Sequence, residues 1–169
     1  MNEEKLMRIE PLSAEAFCEF GDVIEISNRS YKSINWDYTK KYNDLALADT
    51  SSDNGETSVH IYQTKPMGYP LEVKMLEAHP KGSQLFFPLN GERFLVVVAP
   101  KSEVINEDKL RCFLTNGLQG VSYAKGVWHH PVLALDKLSH FIVVDRSPTE
   151  DNLVEHDLKH PRLLDLQTL

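Results

Sequence analysis

The chain has 169 residues, of which 41% are hydrophobic and 25% are charged. These proportions are ordinary for a soluble globular protein, and the length favours one domain over residues 1–169 with a sizeable core. The net charge is −7, with lysine and arginine scattered along the chain. Because no basic stripe would neutralise phosphates, the sequence argues against a nucleic-acid partner. A small anionic substrate is not excluded, since it responds to the local field.

The sequence also predicts no targeting or membrane segment. The first ten residues are rich in charged side chains and lack the apolar core of a signal peptide. No stretch approaches the roughly 20 apolar residues that a membrane span needs. Cys18 and Cys112 have no C-x-x-C spacing, so we expect two buried free thiols. We therefore predict a cytoplasmic protein without a membrane partner.

One early helix is predicted. Ser13 is a favourable N-cap, residues 14–20 follow, and Gly21 suits the position just after a helix. Phe17 and Phe20 are three residues apart and should face the core.

The region after this helix is less regular. Residues 22–26 are strand-like, and residues 27–41 are polar and aromatic, which predicts a long irregular connection. Order resumes at residues 42–47, and residues 49–56 form a turn-rich loop. Long loops in compact domains are often functional.

From there to residue 145 the sequence predicts strand after strand. Residues 71–76 alternate between apolar and charged side chains, as in a half-buried strand. Residues 93–98 are almost continuously apolar and indicate a central strand, and Asn90-Gly91 just before them is a strong hairpin signal. The predicted strands are residues 57–64, 71–76, 85–87, 93–99, 110–114, 132–135 and 141–144.

Many short strands with little helix predict a sandwich or a barrel. Residues 101–109 are charged and predict a surface loop or a short helical turn, whereas the structure of the acidic tail, residues 147–169, stays open. No G-x-S-x-G motif is present, which argues against a serine hydrolase of the nucleophile-elbow type.

Two short segments concentrate the chemistry. Glu77 and His79 are two residues apart, so on a strand they share one face, and Gln84 follows a Pro-Lys-Gly-Ser turn on the next strand. Far along the chain, His129 would supply a fourth group. Such N and O donors suit a divalent metal, and they equally suit a polar cluster that holds a small oxyacid. The alternative is structural, with His79 shaping a turn and Gln84 satisfying backbone groups, but burying such a set favours function.

Five further side chains are candidates for supporting roles. Glu92 and His130 are candidates for proton transfer, although neighbouring residues on a strand point to opposite faces, which would turn His130 outward. Lys81 is a candidate for binding a substrate carboxylate, with a plain surface cation as the alternative. Tyr123 and Trp128 are candidates for lining the pocket, with core packing as the alternative. The remaining histidines lack a partner pattern and are interpreted as structural or solvated: His60, His140, His156 and His160.

The spacing of the cluster resembles the cupin pattern, in which His-x-His precedes a Glu or Gln and a later strand carries another His. Glu77 stands in place of the first His, and Gly91 matches the glycine that ends the first motif. Residues 120–129 resemble the second motif, with Ala124-Lys125-Gly126 replacing the usual Pro-x-Gly. This resemblance implies a mainly β, cupin-like double-stranded β-helix barrel with a few short helices.

A more specific resemblance is to the ureidoglycolate lyase family, formerly called ureidoglycolate hydrolases. It runs from about Ile9 to Arg146, and its motifs occur in the family's order. The motifs are Tyr42-Asn-Asp-Leu-Ala-Leu47, Leu76-Glu-Ala-His-Pro-Lys-Gly-Ser-Gln84, Phe87-Pro-Leu-Asn-Gly-Glu92, Phe94-Leu-Val-Val-Val-Ala99, Phe113-Leu-Thr-Asn-Gly-Leu-Gln-Gly-Val121 and Val127-Trp-His-His-Pro131.

The resemblance implies a homodimeric carbon–nitrogen lyase of the amidine-lyase type. It would split (S)-ureidoglycolate into glyoxylate and urea, late in allantoin and purine breakdown. Glu77, His79, Gln84 and His129 then form the inner cluster, as ligands of a divalent metal such as nickel or as substrate contacts. Two alternatives stay open: an amidohydrolase that releases ammonia and carbon dioxide through a metal-activated water, and a non-enzymatic cupin that binds a small acid.

Overall fold

The computed structural model describes residues 5–169, which form two β-sheets, a two-stranded hairpin and very little helix. The strands are β1 (Lys5–Met7), β2 (Ile9–Pro11), β3 (Gly21–Ile24), β4 (Lys32–Ile34), β5 (Thr39–Lys41), β6 (Glu56–Thr64), β7 (Glu72–Ala78), β8 (Gln84–Pro88), β9 (Phe94–Ala99), β10 (Arg111–Leu114), β11 (Gly120–Tyr123), β12 (Trp128–His129), β13 (Leu133–Ala134), β14 (Ser139–Ser147) and β15 (Val154–Leu164). The helical elements are α1 (Ala14–Phe17) and three 3-10 turns, Ser52–Asn54, Glu107–Lys109 and Leu166–Thr168. The predicted mainly β fold with a few short helices is confirmed.

The larger sheet is rolled almost into a barrel. Its strand order is β1-β15-β7-β12-β9-β10-β2, and β13 also pairs with β9. The two end strands, β1 and β2, are separated in the chain by Arg8 alone, so the two edges of the sheet lie next to each other. A buried apolar cluster that includes Leu76, Val97 and Leu133 gathers side chains from strands all around this sheet.

The smaller sheet has the order β3-β11-β8-β14-β6, and a second apolar cluster lies between it and the larger sheet. β9 contributes to both clusters, because Phe94, Val96 and Val98 enter the second one while Leu95 and Val97 enter the first. Both faces of β9 are therefore buried. This confirms the prediction of a central strand from an almost continuous apolar run.

The Asn90-Gly91 turn does not form the predicted hairpin. It joins β8 to β9, which lie in different sheets and pair with other strands. Gly91 has a φ of +75°, and a side chain built at Gly117 would lie 2.4 Å from the carbonyl oxygen of Gly91. The turn prediction is correct and the hairpin prediction is wrong, because the packing of the two sheets, rather than the turn, selects the partner of each strand.

The N-terminal helix begins as predicted and ends early. The Ser13 hydroxyl accepts from the Ala16 amide at 3.1 Å, as an N-cap does, but regular helix stops at Phe17 instead of residue 20. Phe17 and Phe20 are fully buried, as expected. Both cysteines are free, yet Cys18 is exposed, so the prediction of two buried thiols holds only for Cys112.

Two regions are more ordered than the sequence suggested. Within residues 27–41, predicted as an irregular connection, β4 and β5 pair as a hairpin whose turn carries Asn35, Trp36 and Asp37 at positive φ. The tail, whose structure was open, contains β15, the longest strand of the described chain, which pairs with β1 and β7. In the described part of the chain, no helix combines the length and the apolar character needed to cross a membrane.

Candidate active site

Four side chains of the predicted cluster converge between the two sheets. Glu77 lies on β7 directly opposite His129 on β12, His79 follows the end of β7, and Gln84 begins β8. The Glu77 Oε1 atom is 3.6 Å from His129 Nε2 and 3.9 Å from His79 Nε2. The Gln84 Oε1 atom is 3.2 Å from both of these nitrogens. Groups separated by up to 52 residues in the chain thus share one small volume.

The turn between His79 and Gln84 is held from outside. Its Gly82 lies against β14, where an added side chain would come within 2.7 Å of the Arg146 Cβ. The amide of Ser83 donates to the carbonyl of Asp49, and its hydroxyl accepts from the Asp49 amide. This packing fixes how far apart the first and last residues of the segment lie.

Both imidazoles are oriented by backbone carbonyls. His79 Nδ1 donates to the Asn152 carbonyl at 2.8 Å, and His129 Nδ1 donates to the Val127 carbonyl at 3.0 Å. In the neutral tautomer each Nε2 therefore keeps a lone pair, and each lone pair points at the oxygens of Glu77 and Gln84. Four acceptor atoms meet with no hydrogen between them. A cation satisfies such an arrangement, and Glu77, His79 and His129 offer ligand atoms that all lie within 4.8 Å of one another.

The local environment sets the charge state of the cluster. Burial lowers the pKa of His129, although the nearby Glu77 carboxylate favours the protonated imidazole and works in the opposite direction. Burial alone would raise the pKa of Glu77, but the neighbouring imidazoles of His129 and His79 favour its ionised form and outweigh burial, so that pKa lies below its ordinary value. At neutral pH the cluster combines an ionised Glu77 with a neutral His129.

The cluster opens into a pocket of about 530 Å³. Glu77, His79 and Gln84 line its inner end, and Phe86 and Val132 contribute apolar wall. The volume lies in the range of small-molecule sites. The remaining lining residues come from β6, from the connection between β12 and β13, from β14 and from the segment before β15: Tyr62, Thr64, Pro131, Asp145, Arg146, Thr149, Glu150, Asn152 and Leu153.

Comparison with known proteins identifies the family. A family model described as ureidoglycolate lyase matches residues 4–165. The chain belongs to the ureidoglycolate lyase family. Curated ureidoglycolate lyases from Pseudomonas aeruginosa and Burkholderia mallei are each 47% identical to it, over 152 and 154 residues that cover 90% and 91% of this chain and 90% of each relative. One from Pseudomonas fluorescens is 44% identical over 160 residues, which cover 95% of this chain and 96% of the relative.

Membership of the ureidoglycolate lyase family confirms the resemblance drawn from the sequence motifs. Most of the other predicted site residues lie around the cluster. Tyr123 lies behind His129, with the two rings stacked at 4.1 Å and 9°. Burial raises the pKa of the Tyr123 hydroxyl, so the ring stays neutral. Tyr123 therefore supports an imidazole instead of lining the pocket.

Trp128 does not reach the pocket either. It packs in the first apolar cluster, and its indole nitrogen donates to the Ser102 carbonyl at 3.1 Å. The reason is the pleat of β12, because neighbouring residues point to opposite faces and His129 takes the face of the site. His130 is buried next to His129, and its Nδ1 donates to the Pro131 carbonyl at 2.8 Å.

Lys81 and Glu92 have other partners than a substrate. The Lys81 ammonium pairs with Asp53 at 3.0 Å and so fastens the 3-10 turn at Ser52–Asn54 to the segment that carries His79. Glu92 lies beyond the far end of β8 from Gln84, where it accepts from the Asn90 amide at 3.0 Å. The structure brings neither residue into the pocket lining.

Sequence reasoning missed Asp145, His60 and Asn152. The Asp145 carboxylate accepts from the Gln84 amide nitrogen at 3.1 Å and from His60 Nε2 at 3.0 Å. Asn152 orients His79 through its carbonyl and accepts from the Lys81 amide through its side chain. The predicted strand ended one residue before Asp145, although the alternation of Phe141 and Val143 already placed that position on the inner face.

Proposed function

We propose that this member of the ureidoglycolate lyase family cleaves (S)-ureidoglycolate to glyoxylate and urea, as an amidine-lyase of allantoin breakdown. The observation that carries the proposal is the meeting of four acceptor atoms from Glu77, His79, Gln84 and His129 at the inner end of a pocket. The names of the curated relatives supply the substrate. The pocket volume of about 530 Å³ accommodates a small acid.

The chemistry needs one proton to move. The substrate carries a hydroxyl and a ureido nitrogen on one carbon, next to a carboxylate. When the C–N bond breaks, its electron pair leaves with the nitrogen, the carbon–oxygen bond becomes the aldehyde C=O, and the hydroxyl proton is transferred to the departing urea. A carboxylate that accepts the proton on one side and returns it on the other is sufficient. Glu77, which is ionised at neutral pH, is our candidate for that shuttle.

The donor set also fits a divalent cation. Two imidazole nitrogens, a carboxylate oxygen and an amide oxygen suit metals that accept mixed N and O ligands, nickel among them. Glu77, His79, Gln84 and His129 would hold it. When bound, such a cation supplies Lewis-acid stabilisation of the substrate oxygens. The protein keeps the imidazoles in place through the carbonyls of Asn152 and Val127 and the ring of Tyr123.

We further propose that two copies associate through the outer face of the smaller sheet. β6 is an edge strand, and its outward side chains Val59 and Ile61 are 63% and 59% exposed. They pair in register with Val144 and Ile142 of β14. A two-fold related copy would cover both the apolar face and the edge at β6, which pairs with no further strand of residues 5–169. The apolar face consists of Val59, Ile61, Leu85, Phe87, Ile142 and Val144.

The cytoplasmic location stays a prediction.

A single assay tests the reaction. Purified protein is incubated with freshly made racemic ureidoglycolate, with and without prior chelation, and glyoxylate, urea and ammonia are quantified. We expect glyoxylate and urea in equal amounts, above the spontaneous rate, until one enantiomer is consumed. Ammonia in place of urea would indicate the amidohydrolase, and no turnover with metal restored would indicate a cupin that only binds a small acid.

A further inference from the structure

We propose that Asp145 is a positioning residue that fixes the side-chain amide of Gln84, so that the amide oxygen rather than the NH₂ group faces the two imidazoles. The inference rests on the cation site in the proposed function, and it explains why an uncharged residue can serve there. It assigns a role to a carboxylate that does not itself join the four converging acceptors.

The contacts determine which way the amide points. Gln84 is 5% exposed, and its Nε2 atom donates to Asp145 Oδ2 at 3.1 Å. A carboxylate can only accept hydrogen bonds, so it selects the NH₂ end of the neighbouring amide. The Oε1 end is then directed at the Nε2 atoms of His79 and His129, each 3.2 Å away.

The alternative orientation would have a different chemistry. If the amide turned over, its NH₂ group would donate to the imidazole nitrogens and occupy the lone pairs that the Asn152 and Val127 carbonyls keep available. The same four residues would then form a closed hydrogen-bond network instead of a set of ligands. The Asp145 carboxylate therefore decides between a cation site and a self-satisfied polar cluster.

Asp145 is itself held by the smaller sheet. Val144 of β14 pairs with Leu85 of β8, which places Asp145 beside Gln84 on the inner face. On its other side, Asp145 Oδ1 accepts from His60 Nε2 at 3.0 Å, across from β6. With one oxygen bound from each flanking strand, and only 9% exposure, the carboxylate has no freedom to rotate away.

The test exchanges the carboxylate at position 145 and the amide at position 84. In Asp145→Asn the neighbour no longer selects one end of the Gln84 amide. In the double variant Gln84→Glu/Asp145→Asn, the new carboxylate at position 84 accepts from the new amide at position 145 and again presents an oxygen to the imidazoles. The matched control is Asp136→Asn, since Asp136 is an exposed carboxylate that pairs with Arg93. Affinity for Ni²⁺ alone is measured by titration calorimetry on chelator-stripped protein, with thermal unfolding recorded for each variant.

We expect Asp145→Asn to weaken Ni²⁺ binding by about 10- to 100-fold, the double variant to recover most of that loss, and Asp136→Asn to leave the affinity unchanged. Unchanged affinity in Asp145→Asn, or a double variant as weak as the single one, overturns the proposal. So does wild-type protein without saturable Ni²⁺ binding. If Asp145→Asn does not fold, the double variant decides alone, because it carries the same substitution. No substrate is present, so a failure of the lyase assay is a separate result.

Discussion

At the scale of single residues, the contacts of His129 decide which of its two ring nitrogens can act as a ligand atom. Its ring is almost fully buried, stacked on Tyr123 and bonded through Nδ1 to the Val127 carbonyl. Only Nε2 is left to face Glu77 and Gln84. Burial that lowers its pKa keeps that nitrogen unprotonated at neutral pH, which is the form that can act as a ligand.

Glu77→Gln tests the carboxylate while keeping its shape. Because the amide cannot accept and return the substrate proton, we expect glyoxylate formation to fall by about 100-fold or more. The rate is measured with saturating ureidoglycolate and metal. Glu92→Gln is the control, since Glu92 is a buried carboxylate bonded to its own turn, and its substitution should leave the rate near wild type. Equal losses in both variants would contradict a specific role for Glu77.

Acidification should destabilise the metal-free protein. Burial holds the pKa values of His129 and His130 below their ordinary value, whereas unfolding restores them to about 6.5. The unfolded state then binds more protons, so the free energy of unfolding falls as the pH drops below about 6.5. Glu77, with its pKa lowered from 4.5, adds a loss of the same sign at lower pH.

Urea unfolding between about pH 7.5 and about pH 5.5 measures this loss. The variant His130→Gln should show a shallower dependence on pH than wild type. His160→Gln, at an exposed position on β15, is the matched control and should retain the wild-type slope. A slope that His130→Gln leaves unchanged would contradict the assignment to that residue.

At the scale of elements, the alternation of side chains along short strands determines which residues enter the site and which enter the apolar clusters. Two residues of β12 serve two purposes, since Trp128 fills the first apolar cluster and His129 enters the site.

Gly21 at the start of β3 determines how closely β3 and β11 can approach each other. Its φ is +144°, and a side chain built there would lie 1.9 Å from the Ser122 carbonyl oxygen. Only glycine lets β3 approach β11 this closely.

Gly21→Ala is therefore expected to destabilise the fold by at least about 1 kcal/mol, because the native backbone conformation and the approach of β11 both oppose a side chain. The free energy of unfolding in urea measures it. Gly68→Ala is the control, because a side chain at Gly68 would meet nothing within 4 Å. A comparable loss at Gly68 would contradict the assignment to the close approach at Gly21, because the effect of alanine on the unfolded chain favours the folded state.

At the scale of the whole molecule, the apolar outer face of the smaller sheet is exposed in the single chain, with Val59 and Ile61 more than half accessible to solvent. Ile61→Glu places a charge on this face, on the edge strand β6. We expect sedimentation equilibrium to shift from twice the chain mass to the mass of one chain. Leu118→Glu, at another exposed leucine away from this face, should remain dimeric. A wild-type monomer would contradict the proposed dimer.

The sequence by itself determined the local elements and the identity of the cluster. Alternation in β7, the apolar run of β9 and the Ser13 cap follow from properties of neighbouring residues, which a linear pattern contains. Glu77 and His79 were paired by their spacing alone. The motifs were long enough to indicate the family, and with it the barrel.

Only the tertiary structure decided what depends on partners distant in the chain. The pleat of β12 turned Trp128 away from the pocket, and sheet packing sent the Asn90-Gly91 turn across two sheets instead of into a hairpin. Asp145 reached Gln84 because β14 pairs with β8, a pairing 61 residues apart that no local pattern encodes. Strand pairing is selected by the burial of whole faces, so the contacts that orient the site are a property of the complete fold.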